Sequence, residues 1–205
     1  MHNPMINFED TAVGFRLKSN RDLRLARWLF RSMSRPVFMK IATGMLKIAL
    51  KLRLPVSWTL KSNVYRHFCG GVTLRDAAPV MDMMAGVNVK SIPDFSVEGK
   101  SDEASFNRVR DEVIQAVSFA SENSCIPFVV FKPSGMGEPA IYEKVSSRAK
   151  MTRLELDEFE AVRKRYFAVA EECNQHNIPF FVDAEESWMQ EAVDELVMEL
   201  SAKYN

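Results

Sequence analysis

The stretch Ile178–Leu196, IPFFVDAEESWMQEAVDEL, decides how the chain is read. Its apolar run ends at Val182, and three carboxylates, Asp183, Glu185 and Glu186, follow within four positions. A short apolar run of this kind reads as a strand buried on both faces, as in a parallel sheet. Glu185 and Glu186 then suit the N-terminus of the helix that follows, where unpaired N–H groups and the macrodipole favour negative charge. Ser187 is the candidate cap. Asp183 is not explained in this way, because it directly follows Val182 and so sits at the strand tip, where open α/β sheets hold their ligands.

The same strand–tip–helix pattern occurs twice upstream. VNVKSIPDFSVEG, residues 87–99, reads as a strand and polar tip, and SDEASFNRVRDEVIQAVSFASEN, residues 101–123, as a helix. IPFVVFKPSGMG, residues 126–137, is again strand and tip, and LDEFEAVRKRYFAVAEECNQHN, residues 156–177, again helix. The third strand and its helix complete the series. Three βα units in a row predict a parallel sheet with right-handed crossovers. The carboxyl ends of such strands share one rim. Asp94, Glu98, Lys132 and Asp183 are therefore expected to converge despite their separation in sequence. A lysine closing the run FVVFK has little room to snorkel and is expected to pair with a carboxylate, Asp183 being the nearest by strand order.

Residues 1–86 read as a separate helical region. The pattern predicts helix over 21–50, broken or kinked at Pro36 and ended before Pro55. A further helix is predicted over 57–68, closed by Gly70–Gly71. TLRDAAPVMDMMAG, residues 73–86, follows as a capped helix, with Thr73 as N-cap and Gly86 at C′. Within VFMKIATGMLKIALKLRLPVSW, charges recur too often for a membrane-spanning helix. Lys40, Lys47 and Lys51 fall on one helical face. The segment is amphipathic, and packing against the rest of the protein is favoured over contact with a membrane surface.

Composition narrows the function classes. Hydrophobic content of 47% and charged content of 26% are those of an ordinary globular chain able to build a core. A formal net charge of zero argues against bulk nucleic-acid affinity. The balance hides an asymmetry: residues 1–75 hold 14 Lys/Arg against 3 Asp/Glu, a net of +11, and the remainder is correspondingly −11. Three widely spaced cysteines, Cys69, Cys125 and Cys173, match no metal spacing and no disulfide framework, which points to a reducing compartment. The N-terminus shows no signal-peptide pattern. A cytoplasmic location is expected, with peripheral contact to the inner membrane as its variant.

The motifs DFSVEG, FKPSGMG and VDAEESWMQ resemble, in order and spacing, the first three strand-end motifs of the proline dehydrogenase family. YRHFCGGVTLRDA is similar to that family's approach to its barrel, and the resemblance covers roughly residues 60–205. It implies a (β/α)8 barrel, here a partial one of about three βα units, and FAD-dependent oxidation of L-proline to Δ1-pyrroline-5-carboxylate. By the resemblance, Lys132 pairs with the substrate carboxylate, Asp183 is an active-site carboxylate, and the backbone at Ala184 approaches the flavin. Glu98 corresponds to a glutamate that gates the substrate pocket, with Asp94 in support. Pro133–Ser134 and Met136 are mild departures from the family pattern.

The residues agree with that chemistry. A small zwitterion needs a cation for its carboxylate, which Lys132 supplies, and a nearby carboxylate keeps that ammonium charged. No Gly-x-Gly-x-x-Gly turn follows a strand, so a quinone rather than NAD is the expected acceptor. A full barrel takes about 250 residues, and the family's paired arginines have no counterpart here. The expectation is a chain cut short, weak in flavin and inactive alone, with an open strand edge that favours self-association. Two alternatives stand beside it. One is a non-catalytic partial-barrel module that assembles with a partner chain. The other is an aldolase-type lyase using Lys132 as a Schiff base, which the neighbouring Asp183 and Glu98 oppose.

Overall fold

The computed structural model describes residues 7–55, 65–94 and 102–205. The chain divides into two compact units, Met1–Gly86 and Val87–Asn205.

Among the described residues of the first unit, besides single turns at Thr11–Gly14 and Arg66–Phe68, three helices form: α1 (Asn20–Met33), α2 (Pro36–Lys51) and α3 (Leu74–Ala85). Each boundary has a local cause. Ser19 and Asp22 form a reciprocal capping box at the start of α1, and Thr73 and Asp76 do the same for α3. Pro36 breaks the long helical pattern cleanly and opens α2, a position where its missing N–H costs nothing. Gly86 ends α3 in a right-handed conformation, and Asn88, not Gly86, takes the left-handed turn at φ 62°. The Gly70–Gly71 turn depends on close approach. A Cβ on Gly71 would lie 2.5 Å from the Ala77 nitrogen, which forbids any larger residue there. Most of the helix predicted over 57–68 lies outside the described residues.

The second unit carries α4 (Glu103–Ser121), β1 (Val129–Phe131), α5 (Pro139–Ser146), α6 (Arg153–His176), β2 (Phe180–Val182) and α7 (Gln190–Tyr204). It is mostly helical, with one two-stranded parallel sheet in which Val129, Val130 and Phe131 pair with Phe180, Phe181 and Val182. Helical periodicity buries Phe106, Val109, Val113 and Val117 of α4, and Val162, Tyr166, Val169 and Cys173 of α6. These stripes meet the Val129–Phe131 face of β1, where the Phe131 and Tyr166 rings cross edge to face at 4.9 Å. Capping runs through this unit too, with Asp102 at α4 and a Thr152–Glu155 box at α6. Asn177 closes α6 in the left-handed conformation that asparagine tolerates, and the Ile178 N–H closes back on the Cys173 carbonyl at 3.0 Å.

Three expectations are corrected. Residues 87–94 form no strand. The Ser91 N–H donates to the Cys125 carbonyl at 3.0 Å, but the left-handed Asn88 and the donor-less Pro93 stop a ladder from growing there. β2 is not buried on both faces: Phe181 is 54% exposed, because helices cover one side of the sheet alone. Ser187 does not cap α7, whose N-cap is Met189 without a side-chain bond. α5, inserted between β1 and α6, was not anticipated. It starts at Pro139 and buries Ile141 and Tyr142.

Candidate active site

The ladder itself sets the geometry of the rim. Phe131 pairs with Val182, so the next residues, Lys132 and Asp183, stand opposite each other just beyond the strand ends. The Asp183 N–H donates to the Phe131 carbonyl at 3.0 Å and extends the pairing to that level. Side chains alternate along a strand, which turns Lys132 and Asp183 to the face shared by Val130 and Phe181, away from the helices. On that face the Phe128 and Phe181 rings meet at 4.3 Å, edge to face. The result is an uncovered apolar wall with an ammonium and a carboxylate at its C-terminal border.

Lys132 does find a carboxylate, but a different one. Its Nζ lies 3.8 Å from Asp94 Oδ2, both side chains being 38% exposed, and it makes no ion pair with Asp183. Side chains of in-register neighbours rise side by side from the sheet, and an exposed ion pair is worth at most about 1 kcal/mol. Nothing therefore binds the lysine to its strand neighbour when the 87–94 segment brings a carboxylate within reach of its long stem. Asp94, expected in support, is the observed partner. Ala184 is exposed directly after Asp183. Glu98 lies outside the described residues.

The turn after Lys132 is held from behind. Pro133–Gly135 forms a 3-10 turn, and the Tyr142 hydroxyl donates to the Pro133 carbonyl at 2.9 Å while lying 3.3 Å from the Tyr166 hydroxyl. Burial pushes both phenols above their ordinary range, so both stay protonated and Tyr142 serves as a neutral donor. Arg165 is 3% exposed and donates to the Met136 carbonyl at 2.8 Å, to Asn107 Oδ1 at 3.0 Å and to Glu103. Its guanidinium also lies 5.4 Å from the Phe106 ring centre. A Cβ on Gly137 would collide with Val162 Cγ2, so the turn must close on glycine there.

Two of these residues escaped the sequence reading. Arg165 had a signal, since it stands on the apolar stripe of α6 between Val162 and Val169. Glu185 had none. Its position suits a helix N-terminus, yet α7 begins at Gln190. Its carboxylate instead accepts the Ser134 N–H and the Ser134 hydroxyl, each at 2.7 Å, across 51 positions of sequence.

A groove of ≈ 500 Å³ lies against β2, lined among others by Cys173, Phe180, Val182, Leu200 and Tyr204. Neither Lys132, Asp94 nor Asp183 lines it, so it is separate from the rim. Among the described residues no cluster of His, Cys, Asp or Glu could hold a metal ion.

Comparison with known proteins bears on the family of the chain. Residues 80–205 match the family described as proline dehydrogenase. The carbapenem antibiotics biosynthesis protein CarD of Pectobacterium carotovorum subsp. carotovorum is 28% identical over 187 residues, which is 85% of this chain and 50% of that protein. Proline dehydrogenase 1, mitochondrial, of Dictyostelium discoideum is 22% identical over 193 residues, 76% of this chain and 34% of that protein. The chain spans half or less of the length of these curated relatives. The family match takes in the whole second unit, with Lys132 and Asp183 inside it, and the chain belongs to the proline dehydrogenase family.

Proposed function

We propose that this chain contributes one wall of a flavin-dependent proline dehydrogenase, which oxidises L-proline to Δ1-pyrroline-5-carboxylate in proline catabolism with FAD as cofactor and a quinone as the onward acceptor. The observation that carries this reading is the shared face of β1 and β2. Register places Lys132 beside Asp183, both bordering the uncovered wall formed by Phe128, Val130 and Phe181. The proposed frame is a (β/α)8 barrel, with α4 and α6 outside the sheet and the uncovered face turned inward.

That wall fits a flavin. An isoalloxazine is a flat, largely apolar ring system, and an exposed aromatic surface next to an open backbone at Asp183 and Ala184 suits it. When bound, it would take the hydride equivalent from the carbon next to the proline nitrogen. The residues of this chain would bind and orient. Lys132 receives the substrate carboxylate in exchange for Asp94, a light exchange because the existing pair is half exposed. Asp183, opposite Lys132 in the register, supplies a carboxylate to the same rim. Glu98 is proposed to gate the pocket. The same reaction fits a biosynthetic setting, the one in which the CarD relative is named.

Partners follow from two uncovered surfaces. On α2, Val37, Phe38, Ile41, Met45 and Ile48 fall within one helical stripe and are all exposed, with Lys40, Lys47 and Lys51 along its flank. Such a stripe suits peripheral contact with an anionic membrane surface, and no helix among the described residues is long and apolar enough to cross one. Binding of the protein to anionic vesicles, weakened by added salt, would support this contact. The uncovered face of β2 also favours self-association, or assembly as a partial-barrel module with a partner chain.

The deciding experiment uses the complete natural protein. Expected are flavin absorbance on purification and L-proline-dependent dye reduction, with release of a product that o-aminobenzaldehyde traps. A colourless protein that leaves proline untouched but captures a partner chain would overturn the enzyme reading in favour of the module.

A further inference from the structure

Resting on the proline-oxidising reading, we infer that Glu185 is a positioning residue, tying the Lys132 loop to the Asp183 loop and so setting where the substrate carboxylate is held. The backbone ladder between β1 and β2 reaches its last bond at Asp183 N–H to Phe131 O. Beyond that level the two loops carrying the rim charges have no strand pairing to keep them in step. Glu185 provides the missing link two residues further on. One carboxylate oxygen accepts the Ser134 N–H and the other accepts the Ser134 hydroxyl, both at 2.7 Å.

The placement is specific. The Lys132 turn is already anchored on its helix side by Tyr142 at Pro133 and by Arg165 at Met136. Those bonds fix the turn to the helices but leave its distance from the β2 loop free. Glu185 reaches Ser134, between these anchors, with two directed, charge-assisted bonds. It stands five positions before α7, so service at that helix's N-terminus does not account for it. Glu185 is exposed and Ser134 only partly buried, so the tie contributes little to global stability and acts on local geometry.

The test compares Glu185→Ala, Glu185→Gln, Ser134→Ala and the double variant Glu185→Ala/Ser134→Ala in the complete natural protein. Displacing a binding group by a fraction of an ångström is felt in substrate orientation, so Glu185→Ala should raise KM for L-proline about tenfold with kcat changed by less than about threefold. Deuterium exchange in the peptide spanning Phe131–Met136 should accelerate in the same variant, with or without flavin. Glu185→Gln should rescue both readouts, because an amide accepts the Ser134 N–H and donates to its hydroxyl. The double variant should match Glu185→Ala alone, the mark of two groups acting through one tie. Unchanged exchange in Glu185→Ala would remove the tie. Faster exchange with wild-type KM would show a tie without a positioning role. Failure of the unsubstituted protein to oxidise proline would instead sink the proposed function, and the exchange comparison would still decide whether Glu185 holds the Lys132 loop.

Discussion

Lys132 Nζ lies 3.8 Å from Asp94 Oδ2, although the strand register places Asp183 directly opposite it. The cation at the rim is therefore held by a carboxylate that is half exposed and easily exchanged. On the proposed function, Lys132→Ala in the natural protein should lower kcat/KM for L-proline by about 10- to 100-fold, as expected for a charged hydrogen bond worth about 1.5–3 kcal/mol. Asp94→Asn should cost less than about fivefold, because an exposed pair contributes at most about 1 kcal/mol. Steady-state kinetics of the two variants side by side would decide. Equal losses would mean that Asp94 does more than park the lysine.

Tyr142 is fully buried, and its hydroxyl satisfies the Pro133 carbonyl. Tyr142→Phe leaves that buried acceptor without its donor, a loss of about 1–3 kcal/mol. Chemical denaturation should show this as a lower midpoint with an unchanged slope. Tyr166→Phe should cost less, since its hydroxyl stands at the longer distance of 3.3 Å from Tyr142.

Glu155 is held near a pKa of about 2, first by its bond from Lys144 and then by the Thr152 N–H and hydroxyl. A carboxylate whose folded pKa lies below its unfolded value contributes stability that is present above the unfolded value, about 4.3. That contribution is lost as pH falls through the folded pKa. Glu155→Gln should therefore flatten the decline in melting temperature between about pH 4.3 and about pH 2, the window bounded by those two values. An identical pH profile in the variant would show that the capping box gains nothing from ionisation.

The three thiols should separate by reactivity. Cys173 is buried on α6, and burial first, with Glu172 second, pushes its thiol up to about 12. Cys125 is buried as well, whereas Cys69 is exposed. Since the thiolate is the reactive form, a disulfide reagent at neutral pH should titrate one thiol quickly in the native protein and all three after denaturation. Rapid labelling of Cys173 would reveal opening of the α6–β2 contact.

Much of the architecture is legible from local chemistry alone. The helix start at Thr73 follows from a side chain bonding backbone within four residues, and the break at Pro36 follows from its ring, whereas the caps at Ser19 and Thr152 were seen only in the structure. The cores of β1 and β2, with Lys132 and Asp183 at their tips, follow from short apolar runs ending in charge. These interactions are short in sequence and strong in preference, so the order of residues is enough to state them. The tertiary structure decided the rest. It left 87–94 out of the sheet, because the one bond from Ser91 to Cys125 is not extended past the left-handed Asn88 and the donor-less Pro93. It gave Lys132 to Asp94 rather than Asp183, because exposed carboxylates differ by less than about 1 kcal/mol and position breaks the tie. It moved Glu185 from a helix end to Ser134, 51 positions away, and placed Arg165 inside the core beneath the turn. Contacts of that span exist only once the chain has closed on itself, and no local preference encodes them.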